Sequence, residues 1–183
     1  MADPRAASPL AHRAQDLAGI ESEGATVSLI EVPFLAQVGL RVDDAEAAGL
    51  ALPFAANTVH TEGERSTLWL GPDEWLVTGP PGTATTIIQD LDVSLGERHH
   101  ACVDLSANRA VLDLGGPGAL EVLERGCSID LHPSRWNAGM CAQTNLARTQ
   151  AILEQRPQTT RIFVRPSFAG YLVDWLTSVA ADR

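Results

Sequence analysis

Between Asp104 and Arg109 the chain sets a carboxylate, the Ser106 hydroxyl and a guanidinium around a polar turn, S-A-N-R. Apolar runs flank it, C-V-D-L before and A-V-L-D-L after. A carboxylate that ends a strand can accept from the N–H groups of the turn that follows, and an arginine opening the next strand can reach back to it. The spacing therefore predicts a turn-fixing aspartate that stays ionised. Asp113, inside the second run, poses a related question. Burial raises the pKa of an acid in an apolar strand unless a cation pairs with it, and Arg109 is near in sequence to both acids. Such pairing is as readily structural as catalytic.

Other reactive groups fall into less demanding settings. Ser106, Ser128 and Ser167 sit in turns or caps, without the G-x-S-x-G elbow of a serine nucleophile. Glu121, Glu124 and Arg125 share a helix surface, where solvation and local charge pairing explain them. His99 and His100 are adjacent and point to opposite faces of a strand; His12, His60 and His132 have no ligand spacing to them. G-G-P-G at 115–118 follows a strand and opens a helix, so free N–H groups there could receive a phosphate. The pattern is neither G-x-G-x-x-G nor G-x-x-x-x-G-K-[ST], and Pro117 removes a donor, so a tight turn needing glycine freedom is the simpler reading. No catalytic, cofactor-binding or metal-ligating residue is assigned.

Strands and helices must hold these groups. Cys102–Asp130 reads as strand, turn, strand, helix, with Pro117 in the first helical turn and Gly126 as C-cap. Earlier, residues 26–42 read as two strands broken at Pro33, with Val38, Leu40 and Val42 inward opposite Gln37 and Arg41. D-D-A-E-A-A-G-L (43–50) reads as a short capped helix. This strand-then-helix order echoes A-V-L-D-L–G-G-P-G-A-L-E-V-L, so two halves of similar plan are one expectation. G-E-R marks a hairpin, and G-P-D joins the strands T-L-W-L and E-W-L-V. Trp69 and Trp75 on those strands divide between core packing and a protein interface. Thr83 would cap a helix burying Ile87, Ile88 and Leu91. Trp136 plugs a polar link. M-C-A-Q-T-N-L-A reads as a strand continuing through Thr149–Gln155, and T-R-I-F-V-R as the last strand. Ser167 would cap a closing helix whose buried stripe is Phe168, Tyr171, Leu172, Trp175 and Leu176. The fold class is α+β, with mixed or antiparallel sheets and packed helices. Residues 1–24 form a flexible arm, where only Leu10, Leu17 and Ile20 could anchor, and 25–183 form one domain.

Composition bounds the partners. The formal charge is −10, from 23 acidic and 13 basic residues, which argues against nucleic acid. Lysine is absent, which rules out Schiff-base and P-loop lysine chemistry. Cys102, Cys127 and Cys141 lack C-x-x-C spacing and suit a reducing interior. Without an apolar leader or an 18-residue apolar run, the expectation is a cytoplasmic protein with no membrane segment.

The residues now in hand carry a family likeness. W-L-G-P-D-E-W-L-V at 69–77, the D-L-S-x-x-R-A-V-L-D-L-x-G-P-x-A-L-E-V-L stretch at 104–123, G-C-S-I-D-L-H-P at 126–133, Q-T-N-L-A at 143–147 and V-R-P-S-F-A-G-Y-L-V-D-W-L at 164–176 resemble the gamma subunit of heterotetrameric sarcosine oxidase. The likeness covers roughly residues 25–180, with the motifs in the same order and at matching separations. More broadly the chain is similar to the folate-binding domain of glycine-cleavage aminomethyltransferases, without their full length.

The resemblance implies an accessory, non-catalytic subunit that assembles with alpha, beta and delta subunits. The family's complex oxidatively demethylates sarcosine to glycine with oxygen, giving hydrogen peroxide and, with tetrahydrofolate, methylenetetrahydrofolate. Flavins, NAD and the folate site are then expected in the partner subunits, with no cofactor in this chain. The aminomethyltransferase relatives place an acidic residue near folate; no residue here matches it, and Asp104 is a candidate only because it precedes the S-x-x-R turn. The residues left as a partner interface or vestigial site are Trp69, Trp75, Asp104, Ser106, Arg109 and Arg165. The alternative is a free-standing folate-binding or one-carbon-transfer protein of the same fold.

Overall fold

The computed structural model describes residues 7–15, 17, 26–43 and 51–182. Residues 44–50 of the expected helix, and most of the expected arm, lie outside the described residues. In chain order the regular elements are β1 (Ser28–Glu31), β2 (Ala36–Val42), β3 (Val59–Glu62), β4 (Arg65–Gly71), β5 (Glu74–Gly79), α1 (Ala84–Leu95), β6 (His100–Asp104), β7 (Ala110–Gly115), α2 (Ala119–Glu124), β8 (Met140–Leu146), β9 (Thr149–Gln155), β10 (Thr159–Val164) and α3 (Pro166–Ala181). A 3-10 turn, Ala11–Arg13, precedes them.

These elements divide between two compact units. The first holds residues 34–107 and the second holds residues 7–33 and 108–182. Each has a five-stranded sheet, in the order β3-β4-β5-β2-β6 and β1-β7-β10-β9-β8. Every pairing is antiparallel, and helices pack on the sheets, as expected for α+β. The two sheets repeat one plan. Read as β2-β5-β4-β3 and β7-β10-β9-β8, each has a first strand, a hairpin, a fourth strand laid between them, and then a helix. The first helix of the echo expected from sequence, at 43–50, lies almost wholly outside the described residues.

The strand–turn–strand at the centre of the sequence does not form one layer. β6 completes the first sheet and β7 enters the second. Likewise β1 and β2, separated at Pro33, belong to different sheets. Phe34, at that crossing, has φ +59, an outlier for a bulky side chain.

In the first unit Val38, Leu40 and Val42 are buried as their alternation requires, and Arg41 is exposed. Gln37 departs from the expectation, at 1% exposure. The G-E-R hairpin is a two-residue turn with Gly63 at φ +59, which matches the twist of paired strands. Trp69 and Trp75 stand directly opposite one another across β4 and β5, so they share a face. Trp75 is buried and donates from Nε1 to the Pro53 carbonyl at 2.8 Å, while Trp69 packs half-buried on the same cluster with Leu40, Val42 and Leu95. Ile87, Ile88 and Leu91 of α1 face the sheet as expected. Thr83 occupies the N-cap, but its hydroxyl donates to the Pro80 carbonyl at 2.7 Å and caps nothing.

The second unit has one continuous core, running from Leu29 on β1 through Leu112, Leu114, Leu153 and Ile162 to α2 and α3. Leu10 and Leu17 of the N-terminal segment are buried in it. Trp136 is buried there too and donates to Gln155 Oε1 at 2.8 Å. The stretch 140–155 is a hairpin instead of one long strand; it reverses at Ala147 and Arg148, with Ala147 at φ +53. On α3 the buried stripe is Ala169, Leu172, Val173 and Leu176, while Phe168 and Tyr171 are exposed. The helix starts earlier than expected: Arg165 is its N-cap and Pro166 its first residue, so Ser167 lies inside the first turn. Pro117 similarly precedes the N-cap of α2, Gly118. Gly126 follows the C-cap, Arg125, without a left-handed backbone. Its requirement is space, because a Cβ there would lie 2.5 Å from the Trp175 ring.

Candidate functional site

A ladder of antiparallel strands puts residues of like parity on one face. In the second unit, one face of the sheet carries the core with α2 and α3. On the other face, register aligns Val111 with Phe163, Phe163 with Ile152, and Ile152 with Gln143, one from each of four adjacent strands. The next row on that face, two residues along each strand, is Arg109, Arg165, Gln150 and Asn145; the last pair of the β7–β10 ladder, Ala110 with Val164, lies one step before the two arginines. A largely apolar row thus runs beside a cationic and amide row.

Those two rows form most of a pocket of about 540 Å³, lined by Arg109, Arg165, Gln143, Asn145, Gln150, Ile152 and Phe163. Ser128 and Ile129, from the segment after α2, and Thr144 and Ala151 complete it. The Ser128 and Thr144 hydroxyls lie 3.1 Å apart. Ile152 and Phe163 are buried and form the floor, while Arg165, Gln143, Asn145 and Gln150 are exposed. Among the described residues the lining contains two guanidiniums and three amides, and no carboxylate, imidazole or thiol. Such a surface suits anions and hydrogen-bonding groups.

The six residues named from sequence separate. Arg109 and Arg165 meet at this pocket. Asp104 and Ser106 lie in the first unit, where Asp104 Oδ1 accepts from the Ser106 N–H at 2.9 Å and from its hydroxyl at 2.6 Å. The Ser106 hydroxyl in turn accepts from the Gln37 N–H at 3.1 Å, and the Leu105 N–H donates to the Gln37 carbonyl at 2.7 Å. Asp104 therefore fixes the turn at the end of β6, as its place in the sequence predicts. The expected cation for Asp113 is not Arg109. Arg161, directly opposite across the β7–β10 ladder, holds Asp113 through Nε at 2.8 Å and Nη2 at 2.9 Å. The G-G-P-G segment is a turn built for close approach. Gly116 has φ +93 with the Thr26 carbonyl where a Cβ would stand, and the Gly118 N–H is already bonded to that carbonyl at 2.8 Å.

Sequence reading missed the amides Gln143, Asn145 and Gln150. Their signal was present as a period-two polar pattern, but joining its two halves requires the hairpin at Ala147–Arg148, which has no glycine, proline or asparagine to announce it.

In the first unit, Asp92 of α1 and His100 and Cys102 of β6 bring ligand-type atoms within 4.8 Å of one another. His100 Nδ1 lies 2.7 Å from the Arg98 carbonyl and Nε2 lies 3.0 Å from Asp92 Oδ1, and these two contacts raise its pKa. Burial pushes the Cys102 thiol up to about 11. A smaller pocket of about 230 Å³ in the same unit is lined by His60, Glu62, Arg65 and Asp90 among others, with Arg65 and Asp90 paired at 2.7 Å.

Comparison with known proteins gives this geometry a context. Residues 36–182 match the family described as "Sarcosine oxidase, gamma subunit family". The chain is 36% identical over 185 residues to the sarcosine oxidase subunit gamma of Corynebacterium sp. (strain P-1), covering 96% of this chain and 90% of that one. It is 36% identical over 186 residues to the protein of the same description from Corynebacterium sp. (strain U-96), with the same coverage. Among solved structures, a chain of heterotetrameric sarcosine oxidase from Corynebacterium sp. U-96 in complex with pyrrole 2-carboxylate superposes with a TM-score of 0.87 at 35% identity, over 97% of this chain and 95% of that one. The glycine cleavage system aminomethyltransferase T of Bartonella henselae shares the fold, with a TM-score of 0.64 at 12% identity, over 88% of this chain and 47% of that one. By sequence along nearly its whole length and by fold, the chain belongs to the sarcosine oxidase gamma subunit family.

Proposed function

We propose that this chain is a non-catalytic accessory subunit of a heterotetrameric sarcosine oxidase, assembled with alpha, beta and delta subunits. The complex would demethylate sarcosine oxidatively to glycine, with hydrogen peroxide and, given tetrahydrofolate, methylenetetrahydrofolate as products. Flavins, NAD and folate would be held by the partners, in the cytoplasm. The observation that carries this reading is the near full-length match to a chain of a heterotetrameric sarcosine oxidase. Two features of the chain support it. The main pocket has a lining suited to holding anions, with no acid–base residue among the described ones. On α3, Phe168 and Tyr171 are 44% and 39% exposed and three positions apart, an aromatic surface of the kind that anchors protein partners.

The test is co-expression with the alpha, beta and delta subunits of a heterotetrameric sarcosine oxidase. The chain should co-purify with them in equal stoichiometry. Sarcosine-dependent hydrogen peroxide release should require the large subunits and not this chain's pocket residues. The isolated chain should show no absorbance near 450 nm. Stoichiometric yellow protein, or tetrahydrofolate binding by the chain alone without co-purification, would replace this reading with that of a free-standing binding protein.

A further inference from the structure

We infer that Asp92, His100 and Cys102 form a mononuclear zinc site that staples helix α1 to strand β6; the inference goes beyond the accessory-subunit reading and does not depend on it. Three observations carry it. First, a carboxylate oxygen, an imidazole nitrogen and a thiol sulfur from these side chains all lie within 4.8 Å of one another. Two ligands of one zinc ion, each about 2.0–2.3 Å from it, stand about 3–4 Å apart at tetrahedral angles, so small side-chain turns close this set on an ion. Asp92, with its side chain 52% exposed, has the room to make them.

Second, the backbone places the set. His100 and Cys102 are two residues apart on β6, opposite Val42 and Leu40 of β2, so they share the face on which α1 packs. Asp92 lies in the last turn of that helix, beside Leu91, which packs with Cys102 on the cluster of Leu40, Val42 and Trp75. Third, the histidine is oriented as a ligand. The Arg98 carbonyl, 2.7 Å from Nδ1, can only accept, so Nδ1 carries a proton. That is the usual outer contact of a metal-bound imidazole, and it leaves Nε2 toward the cluster, 3.0 Å from Asp92 Oδ1. An imidazole lone pair and a carboxylate oxygen so close need a cation with them, and a metal ion takes the place of a second ring proton.

The donor set selects the ion. Sulfur and imidazole together suit zinc, whereas magnesium and calcium take oxygen donors. Zinc has no geometric preference of its own and accepts a mixed set, with water in the position that three protein ligands leave open. On binding, the Cys102 thiol gives its proton to solvent, since a coordinated thiol is deprotonated outright. The thiolate and the carboxylate then balance the charge of the ion.

The experiment uses the untagged full chain, stripped with chelator and kept reduced with a phosphine. It is titrated with cobalt(II), which reports a zinc site by its absorbance. The expected result is one cobalt per chain, with a thiolate-to-cobalt charge-transfer band that equimolar zinc abolishes and excess magnesium leaves in place. Cys102→Ser should lose the band. Asp92→Asn and His100→Gln should weaken binding by about tenfold or more, and Cys127→Ser, at the other partly exposed cysteine, should stay within about twofold. Zinc should raise the thermal midpoint of the parent and of Cys127→Ser, and raise that of Asp92→Asn less. Circular dichroism checks the fold of each variant first; Asp92 is exposed, so its variant keeps the test decisive if a change on β6 unfolds the chain. The site is overturned if the folded parent gives no band at equimolar cobalt, or if the band survives in folded Cys102→Ser. Binding unchanged in Asp92→Asn, or lost equally in Cys127→Ser, overturns it as well.

Discussion

The two units repeat one strand plan, so their ladders can be compared step by step. Ala36–Gly79 in the first corresponds to Ala110–Val164 in the second. On the core-bearing face the steps agree in character: Val38 matches Leu112, and Val77 matches Ile162. On the other face they diverge. The first unit has the row Gln37, Thr78, Ser66, Thr61, in which the first three are nearly fully buried and bonded locally, as Thr61 to Ser66 at 3.1 Å. The second has Val111, Phe163, Ile152, Gln143. One step further the first unit ends in Leu35 and Pro80, where the second has Arg109 and Arg165. Three steps in, the apolar pair Gly39–Leu76 stands where the second unit has Asp113–Arg161. A shared topology thus fixes which positions are core. The opposite face is left open to local chemistry: in the second unit it carries Arg109 and Arg165 at one pocket, in the first it carries Arg41 paired with Glu74.

The largest test of this contrast is in the cores. Leu153 is fully buried in the continuous core, while the corresponding step of the first unit holds Thr67. Leu153→Ala should cost about 2–5 kcal/mol in urea unfolding, and Thr67→Ala about 1 kcal/mol or less. Equal losses would mean that the two cores contribute alike.

Next comes the in-sheet ion pair. Its side chains are only 11% and 18% exposed for Arg161 and Asp113. Asp113→Asn should destabilise by about 1–3 kcal/mol, because it removes one of the two carboxylates that face the mostly buried Arg161; the other is Glu154, 3% exposed and opposite Arg161 on β9. D113L/R161L imitates the apolar step of the first unit but takes the cation away from buried Glu154, so it should be no more stable than the single variant. A double variant as stable as the parent would show that Glu154 does not depend on Arg161.

Asp104→Asn should act more weakly, by about 1 kcal/mol, since its carboxylate is exposed and bonds only at a turn. Calorimetric titration of the parent with tetrahydrofolate should be flat. Micromolar binding, lost in a fully stable asparagine variant, would restore Asp104 as a ligand residue.

The smallest effects are in pH, and their signs differ between units. In the first unit, the Arg98 carbonyl and then Asp92 raise the pKa of His100 above 6.5. Its contribution is complete below the unfolded value and is lost as pH rises through the folded one. In the second unit, Arg13 lowers the pKa of Asp174 below 3.8. That contribution is present above the unfolded value and is lost as pH falls through the folded one. Thermal midpoints should therefore become less dependent on mild alkalinity in His100→Gln and less dependent on acid in Asp174→Asn. Both groups face solvent, so either shift will be small.

Much of the architecture was legible in sequence because period-two runs and turn residues mark most strands. G-E-R, G-P-D and the break at Pro33 all fall where strands end. Legibility failed where packing, not propensity, decides. Gln37 reads as a surface residue and is buried where its backbone is tied to the turn after β6. Phe168 and Tyr171 fit a helical stripe, but α3 is turned so that smaller Ala169 and Val173 meet the core. Gly126 reads as a cap, though its reason is a tryptophan from a distant helix. The pocket was half visible: its arginines were singled out, but their partners lie across a hairpin whose Ala147–Arg148 turn carries no sequence mark.

β1 and β7 pair directly, with Glu31 opposite Leu112 and the Val32 N–H bonded to the Val111 carbonyl at 2.9 Å, yet residues 34–107 intervene. The first unit is thus an excursion between the edge strand of the second unit's sheet and that strand's neighbour. On the ribosome, β1 is made early and must wait through the whole excursion for its neighbour. Closing so long a loop costs entropy that grows only logarithmically, about 0.6 kcal/mol for each doubling of length, so equilibrium stability barely registers the detour. Folding speed does, because the contact is non-local. Prior folding of the excursion would shorten the effective loop, so residues 34–107 should form first and the β1–β7 ladder last. Since the excursion leaves and returns at adjacent rungs, a short turn joining Val32 to Asn108 should speed closure of the remaining sheet without altering its register.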